Sequence, residues 1–154
     1  MNFDIRWANV SDKEFLRCGV TDLLSELRGC PVDLEQEALN ETITQMLSNN
    51  ENYGIFIAKK DEKQIGFMAF AVVEALHCGK YAMLEDLWVL KNYRNAGVGK
   101  LLMKALEQYC TDHGIKRIDV GLPGASFRDF DKTNGFYSGC GFIDVGLRKK
   151  KVIE

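Results

Sequence analysis

The sequence predicts one α/β (α+β) domain with a mixed sheet and helices on both of its faces. Three observations lead there. Stretches with strand-like alternation or dense β-branched and aromatic residues alternate with stretches of helical periodicity, in the order strand, two helices, three strands, helix, strand, helix, strand. No linker rich in Gly, Pro or Ser and no internal repeat divides them, so residues 1–154 read as a single domain. A chain of 154 residues also buries roughly 70% of its unfolded surface, enough for a core that needs neither disulfide nor metal.

Each element has its own signal. Phe3 to Trp7 alternates apolar and polar residues, as a half-buried strand does. Ser11-Asp12-Lys13-Glu14 has the form of a capping box, with Phe15, Leu16, Val20, Leu23, Leu24 and Leu27 on one face of the helix behind it and Gly29 at its end. Asp33 is the expected cap of a second helix, whose apolar face is Leu39, Ile43, Met46 and Leu47. Tyr53–Lys59 and Gln64–Glu74 form a hairpin around the polar turn 60–63. Tyr81–Leu90 is a further strand. Val98, Leu101, Leu102, Ala105, Leu106 and Tyr109 then fall at helical spacing, and His113-Gly114 closes that helix. Arg117–Leu122 reads as a strand and Phe127–Tyr137 as a helix weakened by Gly135. Phe142–Val152 reads as a last strand with an exposed basic stretch.

Composition excludes several classes of function. Lys and Arg number 20 against 22 Asp and Glu, a formal net charge of −2, which excludes a generally basic nucleic-acid coat. The longest apolar run, Ile65 to Val73, is far below the ~20 residues that span a bilayer, and the first six residues hold no signal-peptide core. The five cysteines are widely spaced with no CxxC, and the two histidines are His77 and His113, so neither a disulfide framework nor a metal site is written here. Reduced thiols in a reducing, cytoplasmic compartment are expected. Residues 1–77 carry 13 acids and 7 bases, whereas residues 78–154 carry 9 acids and 13 bases. That split is as compatible with chance as with a second half facing an anion and a first half facing a cation.

Arg94-Asn95-Ala96-Gly97-Val98-Gly99-Lys100 is the most informative stretch. It joins a strand to the N-terminus of an amphipathic helix, where unsatisfied amides and the helix dipole favour an anion. Gly97 and Gly99 allow close approach, and Arg94 and Lys100 would add charge-assisted contacts. A Walker A loop would need Gly at 94 and Ser or Thr at 101, and a dinucleotide fingerprint would need Gly at 102. The chain has Arg94, Leu101 and Leu102. On spacing alone, a phosphate site and a merely tight strand–helix connection stay level.

The pattern R-x-x-G-x-G, the strand ending Leu84-Glu85-Asp86-Leu87-Trp88-Val89 and the downstream Phe136-Tyr137-Ser138-Gly139-Cys140-Gly141-Phe142 together resemble the GNAT superfamily of acyl-CoA N-acyltransferases. The order of elements from Phe3 to Val152 matches as well. Leu-Glu-Asp-Leu-Trp-Val followed by Tyr93-Arg94 looks most like the diamine (polyamine) N-acetyltransferase branch.

The resemblance implies a mostly antiparallel sheet, splayed between Leu87–Val89 and Arg117–Leu122 to leave a cleft for acetyl-CoA. The loop Arg94, Asn95, Ala96, Gly97, Val98, Gly99, Lys100 would wrap the pyrophosphate, and the backbone of Leu87, Trp88 and Val89 would pair with the pantetheine arm. Tyr137 takes the position of the family's general acid, and Glu85 that of its carboxylate base. Asp86 points to the opposite face if the strand is regular, and a bulge would change that parity. Family members often carry Asn seven residues before the tyrosine and a small residue four before it. Here Phe130 and Thr133 stand there, and the segment Gly121 to Asp131 is expected as a longer loop shaping the acyl or acceptor site. Cys140 reads as a small residue packed behind a turn, since no histidine is near it in sequence.

The expected activity is acetyl transfer from acetyl-CoA to a primary amine. Residues 11–51 hold nine acids and three bases and would border the acceptor, so a small cationic amine is the expected partner, with no nucleic acid, membrane or metal involved. A protein or peptide acceptor, or a non-catalytic acyl-CoA sensor, are the alternatives. Proteins like this are commonly dimers, so a homodimer is compatible with the chain.

Overall fold

The computed structural model describes residues 2–124 and 127–154. They fall into two compact units, Met1–Val120 and Gly121–Glu154.

In the first unit β1 (Asp4–Trp7) leads into α1 (Lys13–Arg28) and α2 (Gln36–Ser48), followed by β2 (Tyr53–Lys60), β3 (Lys63–Ala75), β4 (Gly79–Val89), α3 (Val98–Asp112) and β5 (Ile118–Val120). The strands lie in the order β1-β2-β3-β4-β5. Successive pairs from β1 to β4 are antiparallel, and β4 and β5 are parallel. The mixed, mostly antiparallel sheet expected from the sequence is therefore present.

Alternation along the strands divides the sheet into two faces. Ile55, Ile57, Phe67, Ala69 and Trp88 form one buried face together with Leu16 of α1 and Ile43 of α2. Helix α1 lies so close that a Cβ on Gly19 would stand 2.7 Å from the Phe67 ring, so glycine is required there by the approach itself. On the other face Tyr109 of α3 packs its ring against Phe70 and Trp7, with centroids 4.9 and 5.7 Å away. Val98, Leu102 and Leu106, the stripe read from the sequence, are buried.

Two helix starts differ from expectation. The Ser11–Glu14 capping box does not form; Asn9 instead caps a 3-10 turn, Val10–Asp12, in a reciprocal bond with Asp12. The reason is Asp12 itself. Its fully buried carboxylate accepts from Arg6 Nη1 (2.7 Å), Arg6 Nη2 (2.8 Å) and Asn9 N–H (2.8 Å), and also from the Gln64 amide. A buried charge needs those donors more than an exposed Glu14 needs a cap, so the capping box sets two residues earlier. Helix α2 is capped by Glu35 rather than Asp33, its carboxylate accepting from the Glu37 and Ala38 amides.

The second unit holds α4 (Phe130–Gly139). The expected last strand, Phe142–Val152, does not form: residues 142–154 carry neither helix nor strand. Gly141 turns the chain through φ 91°, and Ile143, Val145 and Leu147 stand 81%, 75% and 94% exposed. The alternating pattern is there, but a strand without a ladder partner gains no hydrogen bonds to offset the entropy of extension. The strand expected over Arg117–Leu122 is likewise reduced to three residues.

Candidate active site

The sheet opens where the glycine loop begins. Strand β5 pairs with β4 only at Ala82, Met83 and Leu84, opposite Ile118, Asp119 and Val120. Beyond Leu84, β4 continues to Val89 with a strand neighbour, among the described residues, on its β3 side alone. Leu90 N–H donates to Ile65 O on β3 (2.8 Å), so in an antiparallel ladder the alternate residues Val89 and Leu87 turn their backbone groups the other way. Those groups face the side on which β5 has ended. Apart from Val89 O, which accepts from Arg94 Nε, they form a short row of peptide donors and acceptors open to an extended ligand.

A bulge sits in the same stretch. Leu84 pairs with Phe70 and Asp86 with Ala69, which leaves Glu85 as the extra residue. Asp86 thereby joins the face of Ala69, Phe67 and Trp88, while Glu85 is exposed. Burial pushes the Asp86 carboxyl up to about 6, with the Glu85 charge adding to the effect. The regular-strand parity expected between the two carboxylates is thus replaced by one bulged and one inward residue.

After Val89 a 3-10 turn, Lys91–Tyr93, delivers Arg94 in extended conformation. Asn95 (φ 60°) and Gly97 (φ 89°) are both left-handed, and α3 starts at Val98. No side chain caps α3 and no acid lies in its first turn, so its amides and dipole point outward uncompensated. A Cβ on Gly97 would meet nothing within 4 Å, so the space beside these amides is open. Lys100 is exposed in the same turn. This is the geometry of an anion site.

Arg94 is placed differently from a side chain reaching for phosphate. Its Nε donates to Val89 O (2.7 Å) and its Nη2 to Glu26 Oε1 (2.8 Å), and Trp88 Nε1 donates to the same oxygen (3.3 Å). Sequence reasoning missed Glu26, which lies 68 positions from Arg94. Its helical periodicity marked only the apolar face of α1, and no local pattern pairs it with the loop.

Tyr137 is buried in the second unit, its ring packed edge-on against Phe136 and Phe142 with centroids 5.1 and 5.5 Å away. Phe130 and Thr133, where the resemblance leads one to look for Asn and a small residue, lie in the first turn of α4. Ala125 and Ser126 of the expected loop Gly121 to Asp131 lie outside the described residues.

Residues 20–142 match the sequence model of the Acetyltransferase (GNAT) family. The chain belongs to that family. Over 69 residues it is 36% identical to the uncharacterised N-acetyltransferase YjcF of Bacillus subtilis (strain 168), covering 44% of this chain and 49% of that protein. Over 79 residues it is 29% identical to a thialysine N-epsilon-acetyltransferase of Caenorhabditis elegans, covering 51% and 49%. The chain's matches thus span about half the length of these curated relatives. Its fold is shared with a possible acetyltransferase from Clostridium difficile 630 (TM-score 0.82, 16% identity, 100% of both chains). It is shared also with AAC(6')-Iy, solved with the bisubstrate analogue CoA-S-monomethyl-acetylneamine (TM-score 0.79, 21% identity, 99% and 100% covered). Among the described residues no helix is long and apolar enough to cross a membrane.

Proposed function

We propose that this chain is an N-acetyltransferase that moves an acetyl group from acetyl-CoA to the primary amine of a small cationic molecule, by direct attack with both substrates bound. The observation that carries the proposal is the pairing of two features in one place. An uncapped helix N-terminus behind R-x-x-G-x-G suits a pyrophosphate, and the open backbone row of Leu87 and Val89 beside it suits the amide-bearing pantetheine arm. Arg94, Asn95, Ala96, Gly97, Val98, Gly99 and Lys100 would hold the phosphates, chiefly through amides and the Lys100 charge. Leu87 and Val89 would line the arm through their backbone, whereas Trp88, expected beside them, turns its backbone groups to β3. The acidic balance of residues 11–51 supports a cationic acceptor. A small amine acceptor is also in keeping with two similar proteins, a thialysine N-epsilon-acetyltransferase and the aminoglycoside N-acetyltransferase AAC(6')-Iy.

In this reading an ammonium acceptor must lose a proton before its nitrogen can attack the thioester carbonyl. Glu85 accepts that proton, directly or through water. As the C–N bond forms and the C–S bond breaks, the Tyr137 hydroxyl gives its proton to the departing thiolate; the nitrogen's second proton, lost as the amide forms, restores the phenol through water, and the proton on Glu85 passes to solvent. A second assignment of the base is favoured by one observation. Asp86 is desolvated up to about 6, nearer to working pH than an ordinary carboxylate, and is therefore the stronger proton acceptor of the two.

Initial rates with both substrates varied test the direct-attack order. Intersecting double-reciprocal lines are expected; parallel lines would mean an acyl-enzyme, with a cysteine as the nucleophile to pursue.

A further inference from the structure

We propose that Glu26 is a positioning residue for the cofactor loop, acting through Arg94 and Trp88; the proposal rests on the acetyl-CoA reading above. One carboxylate oxygen receives the Arg94 guanidinium and the Trp88 indole N–H, and the other end of Arg94 is fixed on Val89 O. A single side chain of α1 therefore ties together the last residues of β4 and the first residue of the loop.

The loop has reason to need such a brace. It passes through two left-handed residues in three, and at Asn95 a Cβ is present in that conformation. Local propensity does not hold it in that shape. Arg94, the residue immediately before, is the point at which tertiary structure grips the loop. The grip also settles which backbone groups remain for a ligand: Val89 O is occupied by Arg94 Nε, leaving Leu87 and the Val89 N–H on the open edge of β4.

Charge alone would not make this pair matter, since Arg94 and Glu26 are 34% and 32% exposed and an ion pair so placed contributes little by Coulomb attraction. The geometry does. With Arg94's charge met by Glu26, the ligand's phosphates are left to the α3 amides and Lys100. Glu26 then acts on the cofactor without touching it.

The test uses the full chain, calorimetry with CoA, and turnover with two donors, acetyl-CoA and S-acetylpantetheine, which lacks the pyrophosphate. Glu26→Ala should weaken CoA about tenfold and Glu26→Gln, which keeps an acceptor oxygen, by less. With S-acetylpantetheine kcat/KM should stay within about twofold of wild type, as should kcat at saturating acetyl-CoA. If Glu26→Ala does not fold, judged by its circular-dichroism melt, Glu26→Gln and Glu26→Asp carry the comparison. Unchanged CoA affinity in the variants, beside a wild type that binds CoA, would overturn the role of Glu26 alone. Equal losses with both donors would overturn it too, by showing a general structural effect. A wild type that binds no CoA would overturn the cofactor reading and this inference with it.

Discussion

Glu85 and Asp86 are adjacent in the chain, yet the bulge in β4 sets Asp86 opposite Ala69 on the packed face of the sheet and leaves Glu85 over, exposed. Two carboxylates one bond apart thus have different solvation, and solvation decides which can act as a base near neutrality. The buried one is held up to about 6.

If Asp86 takes the acceptor's proton, it must be ionised to work. The rate of the wild type should then fall as pH drops through about 6. Asp86→Asn should lower kcat about 100-fold and remove that limb, while Glu85→Gln should keep it. A limb that disappears in Glu85→Gln and survives in Asp86→Asn would return the role to Glu85.

The same group links stability to pH. Because folding raises the Asp86 carboxyl, the folded state holds its proton more tightly than the unfolded chain. Its contribution is full below the ordinary carboxylate value and is lost as pH rises through about 6. At pH 8 Asp86→Asn should therefore be more stable than wild type, by about 3 kcal/mol, in denaturant titrations.

Asp12 has the opposite sign. Burial pushes its carboxyl up, but the bonds from Arg6, the Asn9 amide and Gln64 outweigh it and hold the group below its usual range. Stability from Asp12 is present above the ordinary carboxylate value and is lost as pH falls through its lowered one. Asp12→Ala strands Arg6 and Gln64 and should cost about 3 kcal/mol at pH 7 in the same titrations.

Gly97 stands at φ 89° with open space where a Cβ would go. Gly97→Ala should cost about 1 kcal/mol of stability through backbone strain alone. It should weaken CoA by more than about tenfold in calorimetry, because the methyl would occupy the ligand's approach to the α3 amides.

Much of this was legible from side-chain periodicity, and the limits have physical causes. The α3 stripe, the hairpin and Gly29 as a C-cap are local signals that tertiary structure did not oppose. The loop from Arg94 to Lys100 could be read as a strand–glycine–helix connection because its parts follow one another within a few residues, but spacing alone left an anion site level with a merely tight turn. The bulge at Glu85 could not, since nothing in Leu84-Glu85-Asp86-Leu87 says which residue will be left unpaired. Glu26 was invisible for a related reason: its bonds to Arg94 and Trp88 exist only once α1 lies on the sheet. Ser11–Glu14 fitted the capping pattern and lost to a buried Asp12 whose partners, Arg6 and Gln64, are contributed by two strands. The pattern over Phe142–Val152 was strand-like, but a strand also needs a neighbour, and a pattern does not supply one.

Tyr137→Phe keeps the ring that packs against Phe136 and Phe142 and removes the hydroxyl. It should leave CoA affinity near wild type and lower kcat about 100-fold. Unchanged kcat would remove Tyr137 from the acid role.

The central claim is acetyl transfer to a small cationic amine, and one measurement meets it directly. The purified chain is incubated with acetyl-CoA and a pool of polyamines, aminoglycosides, amino acids and short peptides, and the products are weighed by mass spectrometry. Mass detection avoids thiol dyes, with which the exposed Cys18, Cys30 and Cys78 would react. The account predicts mono-acetylated polyamine or aminoglycoside with peptides unmodified. Acetylated peptides beside untouched small amines, or bound acetyl-CoA with no product from any member of the pool, would contradict it.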